Sequence, residues 1–130
     1  MARIRIVWQS GEVIANLRDT PTVQNLLAAL PCESTANTWG EEVYFNLPVQ
    51  AKLESDARQV VDAGTVCFWV EGGALALPFG PTPMSRGNEC RLAAKCNVLG
   101  SIDGDARRLK SVSDGVAIRV ELISGENRKP

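Results

Sequence analysis

The chain has no histidine among its 130 residues. Histidine is the commonest general base near neutral pH, so its absence excludes Ser-His and Cys-His nucleophilic catalysis. Any acid–base chemistry must therefore use Glu, Asp, Lys, Tyr or Cys. The sequence also lacks a run of about 18 apolar residues, so we expect no membrane span.

Metal and nucleotide motifs are missing as well. The four cysteines form no C-x-x-C pair, and no histidine is present to complete a zinc site. GSIDGD lacks the acidic spacing of a calcium loop, and no glycine-rich phosphate motif occurs. We therefore expect no metal and no cofactor, and a structural role for Cys32, Cys67, Cys90 and Cys96.

Neither sign of charge dominates. The net charge is -1, and both signs are scattered along the chain, which argues against a nucleic-acid partner. The N-terminus, MARIRIVWQSG, lacks the continuous apolar block of a signal peptide, so we expect a cytoplasmic protein. Length and an apolar content of 45% indicate one globular domain, which we place at residues 1–124, with a polar tail at 125–130.

Most of the sequence consists of short segments in which apolar and polar residues alternate with a period of two. RIRIVW and EVIANL, joined at Ser10-Gly11, predict a hairpin, and VAIRVELI predicts an amphipathic last strand. Further strands are predicted in EEVYFNLP, TVCFWV, ALALPF and AKCNVLGSI. DTPTVQNLLAALP predicts one clear helix, and a shorter one follows from Asp105. ESDARQVVDAG is interpreted as a helical turn or a loop, and GPTPMSRGNEC as a loop.

Seven or so short strands separated by turns indicate an all-β fold, an antiparallel barrel or sandwich. The first and last predicted strands are both strongly amphipathic. Pairing them would remove exposed edges, which favours a closed antiparallel β-barrel covered by the two helices.

Two adjacent glutamates raise the question of a catalytic carboxylate pair. Neighbouring strand residues point to opposite faces, so Glu41 and Glu42 cannot easily act on one substrate atom. The alternation places Glu41 with Val43 and Phe45 on the apolar face, and Glu42 with Tyr44 on the outer face. A buried Glu41 would need a donor or a raised pKa, and it would either brace the turn or act as a general base.

Three stretches, NTWGEEVYFNLPV, FGPTPMS and NVLGSIDGDARRLKSVSDGVAIRV, together resemble the small bacterial and archaeal cyclophilin-like family, formerly a domain of unknown function. The resemblance covers roughly residues 3–122. It implies a compact closed β-barrel with helical covers, a reduced version of the cyclophilin barrel.

The resemblance implies a fold without an activity. Prolyl isomerases of the cyclophilin type use an arginine on an F-H-R strand, and this string does not occur here. The corresponding strand, residues 43–47, has no arginine. Function must therefore be argued from the site itself.

Several side chains are candidates for a binding cleft. The proline-rich loop offers Phe79, Thr82 and Met84, which either line a pocket or belong to a rigid loop that seals the barrel. Trp39, before a glycine turn, is a lid or a core plug. Asn97, within an apolar strand, is a satisfied core amide or a polar group of the pocket.

Three functions remain open from the sequence. The first is a barrel that binds a small molecule or short peptide in a cleft of Trp39, Tyr44, Phe79, Thr82 and Met84. The second is an enzyme, either a divergent prolyl isomerase or a small hydrolase or lyase, with Glu41, Glu42 and Tyr44 as catalytic candidates. The third is an interaction module, for instance a homodimer, although the residues do not set an oligomeric state.

Overall fold

The computed structural model describes residues 2–125. This part of the chain forms ten strands, one α-helix and one 3-10 helix. The strands are β1 (Ala2–Trp8), β2 (Gly11–Leu17), β3 (Cys32–Thr35), β4 (Asn37–Thr38), β5 (Glu42–Asn46), β6 (Arg58–Val61), β7 (Thr65–Trp69), β8 (Ala74–Pro78), β9 (Cys90–Asp103) and β10 (Ala117–Gly125). The helices are α1 (Pro21–Ala29) and the 3-10 helix Ala106–Ser111.

All pairs of neighbouring strands run antiparallel, which confirms the all-β prediction. The strand order is β3-β10-β1-β2-β9-β7-β8-β5-β4. The predicted hairpin of β1 and β2 is present, and β1 also pairs with the last strand, β10, as expected. The order ends at β3 and β4, so full closure of the barrel stays a prediction.

Period-two alternation builds the main core. In β1, Ile4, Ile6 and Trp8 are buried while the residues between them are partly exposed. Val43 and Phe45 of β5 are fully buried in the same core, as the alternation predicted. Leu122 of β10 is the exception, because its side chain is exposed although it continues the apolar set.

Helix α1 begins and ends where the sequence predicts. The Thr20 side chain accepts a hydrogen bond from the Val23 N–H, and Pro21 occupies the first turn. Val23 and Leu26 pack into the main core. In the second helix, Asp105 caps the first turn and Leu109 is buried, so the helix covers the sheet as expected.

A smaller apolar cluster lies on the outer face of the sheet. It comprises Val61, Cys67, Ala76, Cys90, Leu92 and Cys96. The first half of β9 and its partner β6 supply four of these residues and pack against β7 and β8. The interpretation of ESDARQVVDAG as a helical turn or loop was therefore wrong: Arg58–Val61 is a strand, stabilised by pairing with β9.

The predicted domain is described almost to its ends. Strand β10 reaches Gly125, and residues 126–130 of the predicted tail lie outside the described residues. Within residues 2–125, no helix has both the length and the apolar character needed to cross a membrane.

Candidate functional site

A cavity of about 290 Å³ opens between β5, β7, β8 and the first half of β9. Its walls are apolar apart from one carboxylate. The lining residues are Trp39, Glu42, Tyr44, Trp69, Ala76, Leu92, Ala93, Ala94 and Cys96. Because the second apolar cluster forms part of this lining, the cavity lies on the outer face of the sheet, away from the main core.

The turn between β4 and β5 positions two of these residues. Gly40 has φ 61, a conformation that favours glycine, and the Trp39 N–H donates to the Glu42 carbonyl at 2.9 Å. This bond closes a two-residue hairpin turn. Trp39 and Glu42 are therefore held at opposite ends of the turn, next to the cavity.

A small residue forms the floor of the cavity. Ala76 of β8 lies opposite Tyr44 of β5 on one side and opposite Cys67 of β7 on the other. Leu75 and Leu77, its neighbours in the chain, point into the main core instead. The Ala-Leu alternation of ALALP therefore fills the core on one face of β8 and leaves space on the other.

Glu42 is the only charged residue in the lining. Its side chain is buried, with 6% of the residue exposed, and no group within residues 2–125 donates a hydrogen bond to its Oε1 atom. Burial disfavours the ionised form and raises the pKa of Glu42 to about 7. This carboxyl group therefore changes its charge near neutral pH, and its buried Oε1 atom has no donor to stabilise the ionised form.

Three aromatic residues line the cavity together with Glu42, namely Trp39, Tyr44 and Trp69, and all three are partly exposed. The Trp69 ring packs directly on Gly72, where any side chain would collide with it. The close approach of this glycine keeps the indole ring against the turn that follows β7.

The structure places Glu41 outside the cavity. Its carboxylate is partly exposed and lies 3.7 Å from the Lys110 ammonium group, while its backbone bonds to Phe79 and Pro81. The expectation that Glu41 shares the buried face with Val43 was wrong. The buried carboxylate is Glu42, because the outer face of β5 is covered by β9.

The proline-rich loop supports the turn and does not line the cavity. Gly40 lies against Pro81, Thr82 and Pro83, so the loop packs on the turn that carries Trp39. Thr82 is buried, and its hydroxyl group donates to the Arg91 carbonyl. Phe79 packs against the main core.

Met84, the third predicted pocket residue of this loop, is 46% exposed. Of the predicted cleft, the structure therefore brings Trp39 and Tyr44 together at the cavity and leaves Phe79, Thr82 and Met84 outside its lining.

Asn97 is completely buried and lies away from the cavity lining. Its side-chain amide donates to the Thr22 hydroxyl and the Lys52 carbonyl, both at 2.9 Å. Its carbonyl oxygen accepts from the Glu54 N–H at 2.8 Å. The sequence left two roles open for Asn97, and this geometry is that of a core amide whose hydrogen bonds are satisfied.

Six lining residues were not predicted from the sequence: Trp69, Ala76, Leu92, Ala93, Ala94 and Cys96. TVCFWV was interpreted as one continuous apolar strand, which hid the outward direction of Trp69. The alternation of small and large residues in ALALP was the signal that could have identified Ala76.

All four cysteines are buried and free, in agreement with the predicted structural role. Burial raises the pKa of each thiol, for Cys96 to about 12, and the charge of nearby Glu42 raises it further at Cys67, Cys90 and Cys96. Within residues 2–125, no three Cys, Asp or Glu side chains are grouped in a way that could hold a metal ion.

The antiparallel strand order defines a small all-β protein, and comparison with known proteins identifies its family. The chain belongs to the cyclophilin-like family, whose family model matches residues 2–121. It is similar to a hypothetical protein from Archaeoglobus fulgidus, with 39% sequence identity and a TM-score of 0.80 over 92% of this chain and 93% of that one. No curated protein matches the chain. The comparisons therefore establish the family and bring no activity.

Proposed function

We propose that the protein is a binding barrel that takes a small molecule, or one side chain of a short peptide, into the cavity on its outer face. The observation that carries this proposal is the buried carboxyl group of Glu42, which lines an apolar cavity of about 290 Å³ and whose Oε1 atom has no hydrogen-bond donor among the described residues. A buried polar group without a partner costs about 1–3 kcal/mol, and a ligand that enters the cavity and donates to the Glu42 carboxyl group would recover part of that cost.

Protein-observed ¹H–¹⁵N NMR with a library of small fragments tests this proposal. We expect bound fragments to perturb the amide signals of Tyr44, Trp69 and Cys96, and native mass spectrometry of the freshly purified protein to detect a co-purifying small molecule. Fragments that perturb only residues outside the cavity would contradict the proposal.

An acid–base enzyme is the second candidate. The observation that favours it is the pKa of Glu42, about 7, which suits a general acid or base at neutral pH. The lining contains no arginine, so the donor expected of a cyclophilin-type prolyl isomerase is missing from it. A protease-coupled proline-peptide assay tests the isomerase form of this candidate, and a panel of chromogenic ester substrates tests a hydrolase: catalysis that is lost in Glu42→Gln and kept in Glu41→Gln would support it.

Closure of the sheet into a barrel is part of the same proposal. The terminal strands β3 and β4 are separated only by Ala36, which is fully buried. The Ala36 N–H donates to the Val116 carbonyl at 2.8 Å, while Asn37 and Thr38 pair with β5. The continuous segment 32–38 therefore pairs with β10 through β3 and with β5 through β4. We expect the Ala36 amide to exchange with solvent as slowly as the amides of β1, and exchange at the rate of a loop would contradict closure.

We also propose that the protein is cytoplasmic, as the sequence predicts. Four reduced, buried cysteines are the pattern of a protein kept in a reducing compartment, which supports this location.

A further inference from the structure

The cavity presents a negative group with no positive partner. Glu42 makes no ion pair within residues 2–125, and the other lining residues carry no charge. A buried carboxylate is normally paired or strongly hydrogen-bonded, because the ionised form is costly in an apolar surrounding. A ligand that ionises Glu42 must therefore bring the missing positive charge.

The walls favour one class of cation. Trp39, Tyr44 and Trp69 line the cavity together, and the faces of aromatic rings attract cations, with tryptophan the strongest. A compact, strongly hydrated ammonium ion would lose its water without enough donors and acceptors to replace it. An alkylated ammonium group holds its water less strongly and offers methyl groups for the apolar wall of Ala76 and Leu92.

The size of the cavity restricts the ligand further. At about 290 Å³, it lies at the lower limit of small-molecule pockets. It can hold a compact head group, with the rest of the molecule outside. Both a free quaternary amine and the methylated end of a lysine side chain have this shape.

We propose that the cavity binds an alkylated ammonium group, held by the Glu42 carboxylate and the aromatic side chains of Trp39, Tyr44 and Trp69. This inference rests on the proposed binding function and specifies the class of ligand for it. The cavity is thus an aromatic cage with one carboxylate, a form suited to recognising quaternary ammonium groups.

Isothermal titration with choline and with 3,3-dimethylbutan-1-ol, its uncharged carbon analogue of the same shape, tests the charge requirement. We expect choline to bind at least about tenfold more tightly, because only choline gains the carboxylate and cation–π attractions. Equal affinity for the two probes would overturn the inference and leave the proposed binding function intact. The absence of binding by both would also overturn it, while the fragment experiment tests the binding function independently.

Single substitutions measure how much each side chain contributes to choline binding. Glu42→Gln and Trp69→Leu should each weaken choline binding about tenfold. Glu41→Gln is the matched control, because it removes a carboxylate one residue away that lies outside the cavity, and it should leave the affinity unchanged. Circular dichroism confirms folding of each variant. A folded Glu42→Gln with unchanged choline affinity would refute the role of the carboxylate.

The pH dependence of binding gives a second readout. Choline does not titrate, so any change must come from the protein. The titratable side chains facing Glu42 are Tyr44 on its own strand, Cys67 on β7 and Cys90 and Cys96 on β9, and the raised pKa of each thiol keeps it neutral near pH 7. We expect choline affinity to rise about tenfold from pH 6 to pH 8 as Glu42 ionises, and not to change in Glu42→Gln. A pH-independent affinity in the wild-type protein would contradict the inference.

The source of the ammonium group is decided by two probes in parallel. A short peptide with trimethyllysine and the same peptide with unmodified lysine are titrated beside choline. Tighter binding of the trimethyllysine peptide than of choline would assign the cavity to methylated lysine, and the reverse order would assign it to a free quaternary amine. Tighter binding of unmodified lysine than of either methylated probe would overturn the requirement for alkylation.

Discussion

Tyr44 of β5 lies directly opposite Ala76 of β8, and the short side chain at position 76 leaves the space that forms the floor of the cavity. A phenol ring next to a single methyl group is an asymmetric pair. The Tyr44 ring forms one wall of the cavity, and the small Ala76 side chain leaves the floor open.

The position of Ala76 opposite Tyr44 allows us to predict the effect of filling the cavity. Ala76→Leu would place three additional carbon atoms on the floor, so we expect the cavity to lose its ligand capacity while the main core stays intact. The change in stability should be less than about 1 kcal/mol, because the added atoms enter open space and do not overpack a filled core. Fragment binding by NMR measures the first effect and urea unfolding the second.

The matched control for this variant is Met84→Ala, which shortens an exposed side chain outside the lining. Retention of fragment binding at the same sites in Ala76→Leu would show that the cavity is not where the fragments bind.

Glu42 predicts a pH-dependent stability. Its pKa is raised by burial from 4.5 to about 7, so the folded state binds this proton more tightly than the unfolded state. Its contribution to the free energy of unfolding is therefore complete below pH 4.5, declines as the pH rises, and is lost above about pH 7. Relative to Glu42→Gln, the wild-type protein should lose about 3 kcal/mol across this interval.

Urea unfolding of both proteins at several pH values measures this difference. Glu41→Gln serves as the control and should follow the wild-type curve. Parallel curves for wild type and Glu42→Gln would mean that the carboxyl group is not buried in solution.

Asn97 predicts a purely structural effect. Asn97→Leu keeps the branched shape and the number of side-chain heavy atoms but leaves the Lys52 carbonyl and the Glu54 N–H without their partner. Buried groups without a partner cost about 1–3 kcal/mol each, so we expect a total loss of about 3 kcal/mol in urea unfolding. Asn25→Ala, which removes one exposed hydrogen bond to Gln50, should cost less than about 1 kcal/mol.

The same Asn97 variant distinguishes structure from binding. Since Asn97 lies outside the cavity lining, fragment affinity should be unchanged in the folded variant. A selective loss of affinity without a loss of stability would restore Asn97 as a ligand-binding residue.

The four thiols predict low chemical reactivity. Only thiolates react rapidly with disulfide reagents, and burial raises the pKa of Cys32, Cys67, Cys90 and Cys96. We expect a thiol-specific chromogenic reagent to react slowly with all four in the folded protein and rapidly after unfolding in guanidinium chloride. Fast reaction of one thiol in the folded protein would reveal local opening near that residue.

The main core could be predicted from the sequence because it depends on local alternation. Ile4, Ile6 and Phe45 repeat with the period of a strand, and each is buried where the pattern places it. Capping at Thr20 likewise depends on residues that are close in the chain. Strand alternation and helix capping both depend on residues that are a few positions apart, so a single sequence is enough to detect them.

The cavity could be predicted only in part, because it depends on a second layer. The alternation correctly put Glu42 and Tyr44 on the outer face of β5, but it gave no sign that β6 and the first half of β9 cover that face. Arg58–Val61 has little apolar alternation of its own, and its strand forms through pairing with residues about thirty positions later, such as Val60 with Arg91. A contact of this range leaves no local period to detect.

The short strands β3 and β4 bear on how the protein behaves at high concentration. They contain four and two residues and stand at the two ends of the strand order. A neighbouring molecule that tried to add a strand there would find only a few backbone groups in a row, too few to template a stable intermolecular sheet. Brevity at these positions, together with the exposed charge of Glu33 in β3, therefore protects a strand-rich chain from aggregation.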